Sequence, residues 1–461
     1  MKLFLIFLTL CTLTLSVYFT FTRYERRNTS VIRTSNGSEE REVSSRGKIR
    51  FNENETLIES VSRNGFLKYR NNTIKLKATA NEQGGVVYQL SEDGTRLNIN
   101  DKYGRQVLAE VIREILELGF DARGRLERLY AKSGKQGVLD AIEKLKPDYL
   151  KAMYLDYLLT TANLSNEDIL HIIKKAGTLS ADYEKSKILN TLATHLKDSS
   201  ASQAYLDVVK SIDADFEKTK VLESIIRQPL DSIQFGEVLK IVGEMNSDFE
   251  KSNLLKKIIN SSTLQADRSV RVLSVIRNVD ADYEKAKLLD NFSTHLSDSL
   301  TAQAYLEVVK SMTSDFEQVK VLENIIRQPV NTPVLNEIIS ITGSLDADHE
   351  KANLLKKIME RTKFENGSFD RILSVIHNIN GEFEKVNLIK NLAEKDLNSD
   401  EEWIGLLDEV GQVDADFEKA GLLTHLAAKM PRNDNVRAAY VKAAKTINSE
   451  MDYGKALRAA D

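Results

Sequence analysis

Asp280-Ala281-Asp282-Tyr283-Glu284-Lys285-Ala286-Lys287-Leu288-Leu289 is one copy of a stretch that returns, variously degraded, from about residue 148 to the C-terminus. The Asp before the aromatic stands at 148, 182, 215, 248, 282, 315, 348, 416 and 452, with Glu382 filling the gap in the series. The steps are 34, 33, 33, 34, 33, 33, 34, 34 and 36 residues. A fixed period of this size marks a repeat array, in which each unit is too small to bury its apolar face alone and neighbours must stack.

Counting from the motif Asp as zero, the repeat-defining pairs are Asp182-Tyr183, Asp215-Phe216, Asp248-Phe249, Asp282-Tyr283, Asp315-Phe316 and Asp416-Phe417, with His349 beside Asp348 in the aromatic slot. Aliphatics follow at plus six and plus seven (Leu288, Leu289) and an apolar residue at plus ten (Phe292), with a small residue often at plus four (Ala286). This pattern predicts an amphipathic helix whose buried face holds positions one, four, seven and ten. Asp at zero and Glu at plus two suit the helix start, where a carboxylate caps free amides and opposes the positive end of the dipole. A second apolar series precedes each motif, as in Tyr305, Leu306, Val308, Val309 and Met312. Each repeat is therefore expected to be two short helices joined by a tight turn. Residues 182–282 and 282–382 also match closely, so the copied unit is three repeats. The fold class expected is mainly α: an α-solenoid of about ten two-helix repeats over 137–461, distantly similar to tetratricopeptide and HEAT repeats.

Upstream the character of the chain changes. Residues 3–22 form an uncharged apolar run of 20 residues, long enough to span a bilayer, and 1–22 reads as a transmembrane anchor or a signal peptide. Residues 23–47, rich in Arg, Ser, Thr, Asn and Glu, read as a flexible linker. In 48–100, apolar and polar residues alternate around Ile49 and Phe51, and again at 66–69, 74–78, 86–90 and 95–99, with a hairpin signal at Asp93-Gly94. This predicts a small antiparallel meander of about five strands. Connecting helices are expected over 101–136, the first capped at Asn100-Asp101 and ended by Gly119.

Chemistry-bearing motifs are missing. His349-Glu350 approaches a zinc-hydrolase motif, but position 353 is Asn, and His349 is read as a packing residue in the aromatic slot. His195 and His295, copies of one position, are read as helix-surface residues. The sole cysteine, Cys11, lies in the apolar run, so no disulfide or thiolate metal site is available downstream. No phosphate-binding glycine loop, dinucleotide fingerprint or nucleophile elbow occurs. No catalytic residue, cofactor or metal is expected. A net charge of −4 gives no global pull toward nucleic acid.

Gly47-Lys-Ile-Arg-Phe-Asn-Glu-Asn-Glu-Thr-Leu-Ile-Glu-Ser-Val-Ser62, the hairpins after it and the S/D-A-D-[YF]-E-K repeats resemble the exported C-terminal regions attached to BlaR/MecR-type membrane zinc peptidases of bacteria. The peptidase part, with its H-E-x-x-H, is missing. The resemblance implies a bacterial envelope location and a sensory or scaffolding role.

The function expected is a non-catalytic, membrane-tethered scaffold in the bacterial envelope. Most of the chain would be exported to the periplasmic side and bind a protein or peptide partner, with residues 3–22 holding the membrane. The alternative is an envelope sensor that signals through a partner membrane protein.

Overall fold

A computed structural model describes residues 20–26, 29–35, 38–196, 198–261, 264–296, 298–361, 367–395, 397 and 399–460. It divides into two compact units, 1–213 and 214–461.

The first unit opens with β1 (Thr20–Arg26), β2 (Thr29–Ser35), β3 (Glu40–Arg46), β4 (Ile49–Phe51), β5 (Ile58–Val61), β6 (Phe66–Arg70), β7 (Ile74–Ala80), β8 (Val86–Glu92) and β9 (Thr95–Leu97). Seven of these form one antiparallel sheet in the order β1-β2-β3-β6-β7-β8-β9, and β4 and β5 form a separate ribbon. Register places Ile32, Val43, Tyr69, Leu76, Leu90 and Leu97 side by side across six strands. That row is the inner face. It packs with Val107, Leu108, Val111, Ile112 and Ile115 of α1 (Lys102–Glu117) in one core. Asp101 caps α1 by accepting the Gly104 amide. A Cβ on Gly104 would lie 2.0 Å from the Asn98 carbonyl oxygen, so only glycine lets the helix start press against the chain leaving β9. Glu114 locks α1 to the sheet: the Tyr69 hydroxyl donates to it at 2.6 Å, and Arg41 forms an ion pair with it.

The linker reading of 23–47 is corrected, because this stretch carries β1, β2 and β3. Its polar composition hides the strands because in β2 and β3 only one strongly apolar residue each, Ile32 and Val43, reaches the core. Thr34 and Ser45 fill the other buried positions, and Thr is as much at home on a pleated surface as Val. The five strands expected in 48–100 are present as β4, β6, β7, β8 and β9, but β4 pairs with an additional strand, β5, in the ribbon, and β1, β2 and β3 extend the sheet to seven strands. The apolar run 3–22 lies outside the described residues except for its last three, which open β1. Among the described residues no helix is long and apolar enough to cross a membrane.

The first unit continues with α2 (Ala122–Lys144), broken at Gly134 (φ 58°), and with two repeats of helices. Among the described residues of the second unit every element is a helix. Motif helices Asp215–Ile226, Asp248–Ser261, Asp282–Phe292, Asp315–Ile325, Asp348–Arg361, Glu382–Ala393, Asp416–Ala427 and Glu450–Ala460 alternate with intervening helices such as Ala266–Arg277 and Ser299–Lys310. Motif helices pack on the motif helices of neighbouring repeats and intervening helices on intervening ones, giving a two-layered, solenoid-like stack. In the helix Asp282–Phe292 the buried residues are Lys285, Ala286, Leu288, Leu289 and Phe292. Trp403, in the intervening helix Asp400–Gly411, is core.

Candidate functional site

The motif carboxylate does not cap its own helix. Asp282 lies in the first turn of Asp282–Phe292, the cap position belongs to Ala281, and no side chain caps that end. The Asp282 Oδ2 instead accepts the amides of Thr313 (2.7 Å) and Ser314 (2.9 Å) and the Thr313 hydroxyl (2.8 Å), all in the turn before the next motif helix. The own-helix capping expected from the sequence is corrected on this geometry. Lys285, three residues on and buried, completes the arrangement by donating through Nζ to the Ser311 carbonyl at 3.2 Å. A tight turn leaves both amides and carbonyls without helical partners. Here the preceding repeat supplies an acceptor for the first and a donor for the second.

The clasp recurs. Asp215 holds the amides of Asn246 and Ser247, Asp248 those of Asp280 and Ala281, Asp315 those of Asp346 and Ala347. Asp348 holds Asn380 and Gly381, and Asp416 holds Asn448 and Ser449. In the first unit Asp148 holds Ser180 and Ala181, and Asp182 holds Asp213. Glu382 does the same work from a longer side chain, at 2.7 Å and 3.2 Å from the amides of Asp414 and Ala415. The lysine half is repeated by Lys185 on Ser211 and Lys419 on Thr446. Burial works against the charge on Asp282, yet the Thr313 amide and hydroxyl, the Ser314 amide and the Lys285 ammonium together hold its pKa below the usual carboxylate value. Asp348 is lowered in the same way, its burial outweighed by the Gly381 and Asn380 amides and Lys351.

The clasp also corrects the last repeat. Asp416 grips Asn448 and Ser449, so the residue equivalent to the motif Asp is Glu450, the first of its helix. The final step is then 34 residues rather than 36, Met451 fills the aromatic slot, and Asp452 and Tyr453 lie at plus two and plus three.

The aromatic slot itself is not core. Tyr183 in the first unit, and Phe216, Phe249, Tyr283, Phe316, Phe383 and Phe417 in the second, are 57–76% exposed, and Met451 is 77% exposed. His349, expected to pack, is exposed as well. The helical geometry gives the reason: at 100° per residue, plus one points about 170° away from the mean direction of plus six, seven and ten. Since motif helices stack directly on one another, these residues form a column, one per repeat, along the second unit. Lysines border the rings, with Lys220 Nζ 4.1 Å from the Phe216 ring centre and Lys287 and Lys320 each 5.9 Å from that of Tyr283. Those lysines are matched by Glu217, Glu284 and Glu317 at 3.2–3.7 Å. The charges therefore compensate locally, and the rings are the uncompensated feature.

The histidines do not converge. His195 is half-buried in the turn after its motif helix, and His295 is half-buried at the end of the short 3-10 helix Ser293–His295, its ring tilted against Phe292 at 5.6 Å. Among the described residues no three His, Cys, Asp or Glu side chains gather where they could hold a metal ion.

No family model matches the chain, and no curated protein matches it. Among solved structures, one described as "Circular tandem repeat protein with novel repeat topology and enhanced subunit contact surfaces" aligns over 78% of this chain and 91% of its own, at 10% identity and a TM-score of 0.16. At that score the likeness carries no argument for this chain.

Proposed function

We propose that this chain is a non-catalytic, membrane-tethered interaction scaffold of the bacterial envelope whose second unit binds a protein or peptide along the exposed aromatic column. The observation that carries this reading is the column itself. A helical repeat protein stabilises itself by burying rings, and here a ring or its stand-in is kept in water at the same position of eight successive repeats. Large aromatic side chains in water at regular spacing are the common anchors of protein interfaces. Packed helices lie about 8–10 Å apart, which sets the step of the column. An extended polyproline-II segment presents the same face every three residues, or roughly 9 Å, and so matches one contact per repeat. The tether rests on the apolar run 3–22 and the envelope location on the resemblance of residues 47–461.

The test is a triple variant, Phe249→Ala with Phe316→Ala and Phe383→Ala, in full-length protein carrying a photo-crosslinking residue in place of Tyr283. Because the rings are exposed, each substitution should shift stability by less than about 0.5 kcal/mol. Anchors of an interface typically cost about 2 kcal/mol or more when truncated, so the crosslinked partner should be lost. A partner captured equally well by the triple variant removes the column from the function.

A further inference from the structure

The sheet of the first unit has a second face, opposite α1, and its side chains follow from the alternation that buries the first. Register sets Arg33, Glu42, Arg70, Lys75, Ser91 and Arg96 in one row across β2, β3, β6, β7, β8 and β9. The next row holds Ser44, Lys68, Lys77 and Gln89, and Arg46 stands beyond it. These seven basic residues are all exposed. Among the described residues the only acids on it are Glu42, shared by Arg33 at 3.0 Å and Arg70 at 2.8 Å, and Glu40 at a strand end. A hollow of about 670 Å³ lies over the middle strands, its lining including Lys68, Arg70, Lys75, Lys77 and Arg96, a single acid, Glu42, and uncharged side chains between them.

Two pairs in this face oppose folding. Lys68 stands directly across from Lys77, and Arg70 directly across from Lys75. Like charges opposite one another destabilise a sheet, while Thr or Gln would serve as well on a solvated surface. The chain as a whole is acidic, so the basic face is a local feature rather than a reflection of composition.

We propose that this face docks on an anionic phospholipid bilayer, with headgroup phosphates entering the hollow between Lys68, Arg70, Lys75 and Lys77. Charge complementarity supplies the attraction. The apolar run 3–22 supplies the choice of a bilayer over other polyanions, because it ends within β1, the strand beside β2. Any membrane that takes up the run lies a few residues from this sheet. The proposal shares that run with the proposed tether, but the two are separable. Tethering needs only an apolar phase, whereas docking needs negative headgroups.

Full-length protein is therefore presented with nanodiscs of neutral phosphatidylcholine and with discs that also carry phosphatidylglycerol, and lysine acetylation rates are read by mass spectrometry. Co-isolation with neutral discs reports the tether. On anionic discs Lys68, Lys75 and Lys77 should acetylate more slowly than on neutral ones, by at least about threefold given the strength of attraction per basic residue. Lys442, 74% exposed in the second unit, should acetylate equally on both. Raising the salt should erase the difference. Lys68→Gln with Lys77→Gln relieves a like-charge pair, so it should fold, and it should return Lys75 to its neutral-disc rate. Equal rates for Lys68, Lys75 and Lys77 on the two discs overturn the proposal even if the chain is anchored in both. Protection by short single-stranded DNA without protection on anionic discs overturns it in favour of a nucleic-acid face.

Discussion

Removing the Asp282 carboxylate leaves the amides of Thr313 and Ser314 facing the place where a charged acceptor stood. Hydrogen bonds to charged groups contribute about 1.5–3 kcal/mol, so Asp282→Ala should destabilise by that amount in urea titration. Asp280→Ala, two residues earlier and exposed, should cost less than about 0.5 kcal/mol. Asp282→Glu should keep most of the stability, because Glu382 already performs this role. The folded pKa of Asp282 is depressed, so its contribution is complete above the unfolded value of about 3.9 and is lost as the pH falls below it. The gap between wild type and Asp282→Ala should therefore narrow below about pH 4. An unchanged gap at pH 3 would show that the bonds do not depend on the charge. The sequence displayed Asp282 and Lys285 at full strength, yet their partners lie 26–32 residues away. Rules for helix ends look only a few residues ahead, so they assigned the carboxylate to its own helix. The legible clue was Glu382, a poor cap but a side chain long enough to cross to the next repeat.

Within one motif helix the expected positions four, seven and ten are buried, position six is buried beside them although it is not expected on that face, and the aromatic at plus one is drawn onto it by hydrophobicity alone. Its neighbour at plus three, Lys285, was overlooked for the opposite reason: a lysine is expected in water unless its ammonium finds a carbonyl. In the sheet, β6 to β9 were legible because their apolar alternation is strong. Strands β2 and β3 were not, because Thr34 and Ser45 occupy half of their buried positions. The corrected register separates two residues on one turn of helix. Leu289 is fully buried, and Lys287 is about two-fifths exposed. Leu289→Ala should cost about 2–5 kcal/mol. Lys287→Ala should change stability by less than about 0.5 kcal/mol. Similar losses in both, measured by urea midpoint, would mean that the helix is rotated from the orientation described.

For the whole molecule the period of 33 or 34 residues was enough to anticipate a stack of helix pairs, since no other arrangement buries so many short, one-faced helices. The same period is silent about the column and the basic face, which are set by where side chains point rather than by how often they recur. If residues 3–22 tether the chain with its bulk exported, alkaline phosphatase fused after residue 461 should be active in whole cells. An inactive fusion beside an active cytosolic reporter would reverse that orientation.

The architecture also dictates how damage spreads. Successive motif helices within the second unit contact one another, and each clasp reaches only the following turn. Stability in such an array is a sum of local terms and nearest-neighbour couplings, so a defect opens its own repeat and the adjoining ones before distant ones. In Leu289→Ala, hydrogen exchange should accelerate first in the helices Asp248–Ser261, Asp282–Phe292 and Asp315–Ile325. The amides of Thr313 and Ser314 should lose protection with them, because the helix that carries their acceptor loosens. The central strands β6, β7 and β8, with their own core against α1, should keep the protection they have in the wild type. Uniform acceleration across all repeats and the sheet would mean that the chain unfolds as a single cooperative body. The coupling between neighbours would then be too strong for the repeats to open in separate steps.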